Sequence, residues 1–406
     1  MKKYKKEKQQ TTATSKNQQS LLDELVLLGA QQMVQQALEA EVTEHLGRKP
    51  YERCQTKMER HYRNGFARER HLTAGCGSFG IRVPRLREQY TSAIVDRYQR
   101  LSTQMTALIP HLYLHGLASG DFQQCFRAFL GSEAPISQTS ILRQKQQWES
   151  EYQAWKKRPL EREYLYVWAD GVYPKAGPKD EQMAVLVVIG LNRKGEKELL
   201  AIDEGYRESA DSWREVFRDL KRRGLQWIGM MIADGVLGLW KALRDTFPLA
   251  RRQRCWVHKM RNVLDKVPLT IYDEVLQALR EIYHATSKDQ ALGLVKAFVA
   301  LYGHRYPKAV ACLQESVDVL FAYFHFPRQH WKSIKSTNVI ESLFSAVKLR
   351  TDAARRIPKR ESALYLVFKL LLTQQQRLKK IHGYRLVTQT IELARSNKNL
   401  KLRIAA

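Results

Sequence analysis

The feature that most constrains the fold is a change of period at Glu163. Before it, apolar residues recur mainly at helical spacing. After it come short apolar runs rich in β-branched residues: Tyr164–Ala169, Met183–Ile189, Glu198–Ile202, Trp227–Ala233 and one near Arg254–Val257. Runs of this length and composition read as strands. Gly195, in Asn192-Arg193-Lys194-Gly195, supplies a turn between the second and third. A helix with Trp213, Val216, Phe217 and Leu220 on one face, stopped by Gly224, precedes the fourth strand. Another, from Leu237 to Phe247, precedes the fifth. Three strands in a meander followed by alternating helix and strand predict a mixed α/β sheet.

Two of these strands end in aspartate before glycine, in Val167-Trp168-Ala169-Asp170-Gly171 and Met231-Ile232-Ala233-Asp234-Gly235. A third segment, Ser336-Thr337-Asn338-Val339-Ile340-Glu341-Ser342, places Glu341 in the first turn of a predicted helix. Each has a plain explanation taken singly. Asp-Gly is a common turn dipeptide, and Asn338-x-x-Glu341 reads as a capping box. Asp203 and Glu204 also stand near a strand end, but with Gly205 and Tyr206 they read as a turn. Jointly, Asp170, Asp234 and Glu341 offer oxygen donors of the kind that hard Mg²⁺ prefers. Two such ions can activate an attacking oxygen and stabilise a leaving one at a phosphodiester.

Charge points to whose phosphodiester this is. The chain of 406 residues carries 68 Lys+Arg against 41 Asp+Glu, a formal charge of +27. Such a balance favours a polyanionic partner, with nucleic acid first. No apolar run reaches the ~18 residues of a membrane span, and the Lys- and Gln-rich start lacks the apolar core of a secretory signal. Five scattered cysteines (54, 76, 125, 255 and 312) fit a reducing cytoplasm better than a disulfide framework.

The remaining segments organise around that sheet. Residues 1–19 read as a disordered basic arm. Residues 20–104 read as a DNA-binding or dimerisation region, opening with a helix over Leu21–Leu46. Within it, Phe79 to Arg85 alternates apolar and basic and reads as a short strand with one solvated face; Arg82 and Arg85 are candidates for DNA backbone contact, with an ordinary solvated face as the alternative. Residues 105–155 read as three helices: Leu108–Leu117, Phe122–Leu130, and a third from Ser137, where Ile136 and Ile141 are spaced as a hydrophobic staple. If this is a helix-turn-helix, Gln138, Thr139, Ser140, Arg143 and Gln144 offer groove-reading side chains. A helical hairpin used for packing is the alternative. Residues 160–258 and 330–380 read as two parts of one sheet domain around an all-helical block, 259–329. The stretch from Ala346 onward carries fifteen basic and three acidic residues. It reads as helical to about Lys380, leaving 381–406 as a basic tail. Cys255-x-x-His258 lacks the four ligands of a structural zinc site, so a buried cysteine with a satisfied histidine is the preferred reading. Trp331, after His330, suits either base stacking or the helical core.

These contexts together resemble the Mutator-type bacterial insertion-sequence transposases. The likeness runs through Arg63-Asn64-Gly65, Arg82-Val83-Pro84-Arg85, Leu112-Tyr113-Leu114-His115-Gly116-Leu117, Ile136-Ser137, Cys255-x-x-His258, His330-Trp331 and Thr337-Asn338-x-Ile340-Glu341-Ser342. The resemblance implies a ribonuclease H-like catalytic domain, interrupted by an all-α insertion, with mainly helical N-terminal DNA-binding domains and a helical basic C-terminus. It implies a DDE triad of Asp170, Asp234 and Glu341 holding two Mg²⁺ (or Mn²⁺) ions. The separations, 64 positions from 170 to 234 and 107 from 234 to 341, leave room for the insertion. Lys348 shares a helix face with Glu341 and resembles the basic residue such enzymes aim at transposon-end DNA; Arg350 is a further phosphate candidate. Cys255 and His258 match the family's signature after the second aspartate. Trp168, Pro174 and Phe344 depart from its usual contexts. The implied activity is DNA transposition: binding the element's terminal inverted repeats, cleaving strands, and joining the 3′-hydroxyl to target DNA. The implied setting is a homodimer or larger assembly on double-stranded DNA, in the bacterial cytoplasm at the nucleoid. The alternatives are an inactive DNA-binding or repressor relic, and a metal-dependent nuclease without strand transfer.

Overall fold

The computed structural model describes residues 2–52, 62–117, 121–130, 138–177, 181–205, 207–353, 357 and 359–396. It forms two compact units, Met1–Gln144 and Lys145–Ala406.

The first unit opens with α1 (Lys2–Leu46), followed by four short strands, β1 (Arg63–Phe66), β2 (Arg70–Ala74), β3 (Gly77–Ile81) and β4 (Pro84–Leu86). The helix starts at Lys2 and so includes the stretch expected as a disordered arm. Lys, Gln and Ala are good helix formers even where apolar content is low. Farther along, Leu38 packs with Leu72, Phe79, Ile81 and Val95 into one small core. The single strand expected over Phe79 to Arg85 is two. β3 pairs with β2, whereas β4 pairs with β1. The break falls at Arg82, whose backbone N–H donates to Gln35 Oε1 at 3.1 Å, just ahead of Pro84 with its fixed φ. Next come α2 (Thr103–Leu114) and α3 (Phe122–Leu130), joined by Met105, Ile109, Phe122, Phe126 and Leu130. The third predicted helix is α4 (Gln138–Lys157).

The second unit is built on the mixed sheet. Its strands are β5 (Glu163–Val172), β8 (Ala184–Leu191), β9 (Lys197–Gly205), β10 (Trp227–Ala233) and β11 (Arg251–Arg254); a small hairpin, β6 (Lys175–Ala176) and β7 (Glu181–Gln182), lies between the first two. The order is β11-β10-β5-β8-β9. β5, β8 and β9 form the antiparallel meander, and β10 runs parallel to both β5 and β11. Gly195 makes the β8–β9 turn at φ 74°, a left-handed conformation that costs glycine little.

Helices α5 (Ala210–Arg222) and α6 (Leu237–Thr246) cover one face. Trp213, Phe217, Leu239 and Leu243 meet Val167, Ala169, Met231 and Ala233 there. Strand alternation sends Tyr166 and Trp168 to the other face. Trp168 Nε1 donates to the Ser333 carbonyl at 3.2 Å.

The fifth strand lies three residues earlier than the sequence suggests. Cys255 donates its N–H to the Ala233 carbonyl at 2.7 Å and caps α7 (Trp256–Leu264), so Cys255-Trp256-Val257-His258 opens a helix. The apolar residues that suggest a strand are the buried start of that helix. The expected helical block follows as α8 (Tyr272–His284), α9 (Lys288–Tyr302), α10 (Pro307–Gln314) and α11 (Val317–Leu320). After α12 (Trp331–Ile334) come α13 (Asn338–Ala353), α14 (Arg360–Gln375) and α15 (Val387–Ser396). α13 and α15 pack on β5, and α14 packs on β9. The last helix buries Val387 and Ile391, so folded structure continues past Lys380 to Ser396.

Candidate active site

The sheet register brings the two aspartates together. β10 pairs with β5 through Ile232 and Trp168. Asp234 and Asp170 each stand two residues farther on, and alternation puts both on the face where α13 packs. Each is anchored locally. Asp170 Oδ1 accepts the Gly171 N–H at 2.9 Å, and Asp234 Oδ1 accepts the Val236 N–H at 2.9 Å. Arg254 Nε donates to the Asp234 carbonyl at 3.2 Å. Between them Gly235 has φ 107°, and a Cβ there would meet the Arg254 guanidinium at 2.8 Å or less. Only glycine suits that position.

Sequence reading missed a fourth carboxylate, Glu208. It lies in the turn between β9 and α5, accepts the Tyr173 hydroxyl proton, and fills the space beside Gly171. No local motif marks it. Burial pushes the Asp170 carboxyl up to about 7; the charges of Asp234 and Glu208 add to this, while the Gly171 N–H and His258 oppose it. Glu208 is likewise raised by burial and by Asp234. This crowding of negative charge, all on hard oxygen donors, fits a divalent cation such as Mg²⁺ or Mn²⁺. Four helices also begin here: α5 after Glu208, α6 after Asp234, α7 at Cys255 and α13 before Glu341. Their N-terminal dipoles offset part of the repulsion.

Glu341 sits in the first turn of α13, half-buried. The expected capping box is replaced by a different arrangement. The Thr337 carbonyl accepts the N–H groups of Ile340 and Glu341 at 2.9 and 3.0 Å, and the Thr337 hydroxyl donates to Glu341 Oε1 at 2.5 Å. Asn338 instead turns its N–H to Ser336 Oγ at 3.4 Å. His258 Nδ1 lies 3.8 Å from Glu341 Oε1. A hydrogen bond with Cys255, then the charges of Glu341 and Asp170, hold the His258 pKa up at about 9.

Other sequence candidates fall elsewhere. Asp203 is held by Lys156 and Tyr152, and Glu204 pairs with Arg360. His330 is buried between the Tyr166 hydroxyl and the Gly383 carbonyl. Trp331 donates to the Phe326 carbonyl and packs on Tyr323 and Phe324, which is a core role. Lys348 is exposed, but Arg350 is only 6% exposed, so Lys348 is the one open to a phosphate. Arg82 is exposed and paired with Glu69; Arg85 is exposed on β4. The side chains of Gln138, Thr139, Ser140, Arg143 and Gln144 lie outside the described residues, as do Ile136 and Ser137.

Residues 1–380 match the family described as transposase, Mutator family. The transposase for insertion sequence element IS6120 of Mycolicibacterium smegmatis is 42% identical over 284 residues, covering 70% of this chain and 88% of that protein. The transposase for element ISRM5 of Rhizobium meliloti (strain 1021) is 30% identical over 377 residues, covering 92% of each. The transposase for element IST2 of Acidithiobacillus ferrooxidans is 37% identical over 258 residues, covering 63% of this chain and 87% of that protein. On the extent of these matches, the chain belongs to the Mutator family of transposases.

Proposed function

We propose that this chain is a DNA transposase. Its second unit would be a ribonuclease H-like catalytic domain, with the α7–α11 helices as an insertion between Asp234 and Glu341. The observation that carries this reading is the β5–β10 register, which sets Asp170 beside Asp234 on the face where the helix bearing Glu341 packs. Asp170, Asp234 and Glu341 would hold two Mg²⁺ or Mn²⁺ ions, which supply activation of the attacking oxygen and neutralisation of the leaving one.

The protein's own groups do the rest. The backbone N–H bonds at Gly171 and Val236 fix one oxygen of each aspartate, and the other would serve as the metal ligand. Glu208 adds negative charge on the Tyr173 side. Lys348, exposed seven residues after Glu341, would meet a phosphate of the transposon end. The first unit would bind terminal inverted repeats, with Arg82 and Arg85 on phosphates and α4 reading bases. Two ends must meet in one complex, so the working form is a dimer or larger.

The test is strand cleavage and joining on DNA carrying the element's own ends, with Mg²⁺ or Mn²⁺. Asp234→Asn should lower the rate by several kcal/mol of barrier, on the order of a thousandfold. Undiminished joining by that variant removes the triad assignment. Cleavage without any joined product reassigns the chain as a nuclease.

A further inference from the structure

Beside the proposed metal pocket lies a second donor set. Cys255 Sγ, a His258 ring nitrogen and a Glu341 carboxylate oxygen stand within 4.8 Å of one another. A thiol, an imidazole and a carboxylate are the donors a soft divalent ion such as Zn²⁺ would take. The middle of the trio is filled by something else. Thr337 Oγ1 lies 2.5 Å from Glu341 Oε1, 3.1 Å from Cys255 Sγ and 3.4 Å from His258 Nδ1. Thr337 is fully buried, and its backbone is fixed from both sides. Its N–H donates to Cys255 Sγ at 3.3 Å, and its carbonyl accepts the N–H groups of Ile340 and Glu341 in the first turn of α13.

A hydroxyl has one proton to give and two lone pairs to fill. The carboxylate can only accept, and it makes the shortest contact, so the Thr337 proton goes to Glu341. Cys255 Sγ and His258 Nδ1 flank the same oxygen at 3.1 and 3.4 Å. The Thr337 hydroxyl thus stands among all three donors, where an ion would have to sit.

We propose that Thr337 is a positioning residue, seated by Cys255 and His258, whose hydroxyl fixes Glu341 Oε1 and leaves Oε2 as the ligand atom. The Cys-x-x-His pair then acts on the third carboxylate through a threonine, not as a zinc site. A carboxylate on an otherwise solvent-facing helix turn is thereby held in one rotamer before any metal arrives. Support of this kind around a ligand is worth roughly ten- to a hundredfold in metal affinity. The inference rests on the two-metal reading and is separable from it.

The experiment is Mn²⁺ titration of the full-length chain by calorimetry and by the paramagnetic signal of free Mn²⁺, with melting temperatures alongside. Wild type should bind Mn²⁺, and Asp234→Asn should lose that binding; failure at this step overturns the two-metal reading itself. Given that binding, Thr337→Val keeps the side-chain shape and removes the hydroxyl, so Mn²⁺ affinity should fall roughly ten- to a hundredfold. Thr337→Ser keeps the hydroxyl and should stay near wild type. If Thr337→Val does not fold, the difference between Thr337→Ser and Thr337→Ala reads the same hydroxyl. Wild-type Mn²⁺ affinity in the variants without the hydroxyl overturns the proposal. So does one equivalent of Zn²⁺ copurifying with the wild type and lost in Cys255→Ser.

Discussion

His330 has Nδ1 2.8 Å from the Tyr166 hydroxyl and Nε2 3.1 Å from the Gly383 carbonyl. A carbonyl only accepts, so Nε2 carries the proton and Nδ1 accepts from the tyrosine. That is the neutral imidazole, and burial lowers the His330 pKa below its ordinary 6.5. The unfolded chain therefore takes up a proton first as pH falls. Stability from this residue is complete above about 6.5 and is lost progressively below it. Denaturant unfolding at pH 7.5 and 5.5 should show this loss, and His330→Gln should have a shallower dependence over the same range. An unchanged dependence in the variant contradicts the tautomer assigned here. The residue scale also separates what sequence could reveal. Asp170, Asp234 and Glu341 stand out because each sits in a short local pattern. Glu208 does not, because its place beside Gly171 is set by how the β9–α5 turn folds back over β5. Thr337 stands in a recognisable motif, yet its contacts with Cys255 and His258 depend on α7 and α13 meeting.

Strands and helices were legible where burial imposes a period. β10 was read to the residue because all but its first residue are buried, and α3 was read likewise from its one-sided apolar face. β11 was misplaced because Arg251-Arg252-Gln253-Arg254 has no strand-like apolar content. Its pairing comes from β10 alone, and Gln253 is satisfied across the layer by the Leu320 carbonyl and the Tyr323 N–H. A similar tie joins α8 to α12. Lys335 Nζ donates to the Tyr283 carbonyl at 2.6 Å and faces the rings of Tyr283 and Tyr323 at 4.5 Å and Trp331 at 5.5 Å. Burial draws its pKa down to about 8, while the ring faces favour the cation. Lys335→Ala removes the hydrogen bond, the ring contacts and the packing of the stem together. It should cost about 2–4 kcal/mol in urea unfolding. A loss below about 0.5 kcal/mol would mean the cage is not holding these helices.

At the scale of the molecule, a charge of +27 is not matched by the acidic pocket. Asp170, Asp234 and Glu208 gather at one end of the sheet, whereas the sequence as a whole carries 68 Lys+Arg against 41 Asp+Glu. DNA binding should therefore weaken steeply with salt. A complex with six to ten phosphate contacts loses about 10³–10⁵ in affinity between about 50 and 200 mM salt. Fluorescence anisotropy with a labelled duplex across that range measures the slope; a flat response contradicts broad phosphate contact. No helix among the described residues is long and apolar enough to cross a membrane. The broad class, a mixed α/β sheet with helices before, inside and after it, was readable from the order of apolar runs. The division at residue 144 was not, because α4 runs through it.

The α7–α11 block has a consequence in time as well as in space. Asp170 and Asp234 leave the ribosome together with all five sheet strands, but 107 positions separate Asp234 from Glu341. At about 5–20 residues per second, translation needs on the order of 5–20 seconds to cover that interval. During it the nascent chain carries two acids and lacks the third. On the proposed triad, a nascent polypeptide that has not yet reached α13 would lack one of its three metal-holding acids, and cleavage would have to wait for that helix.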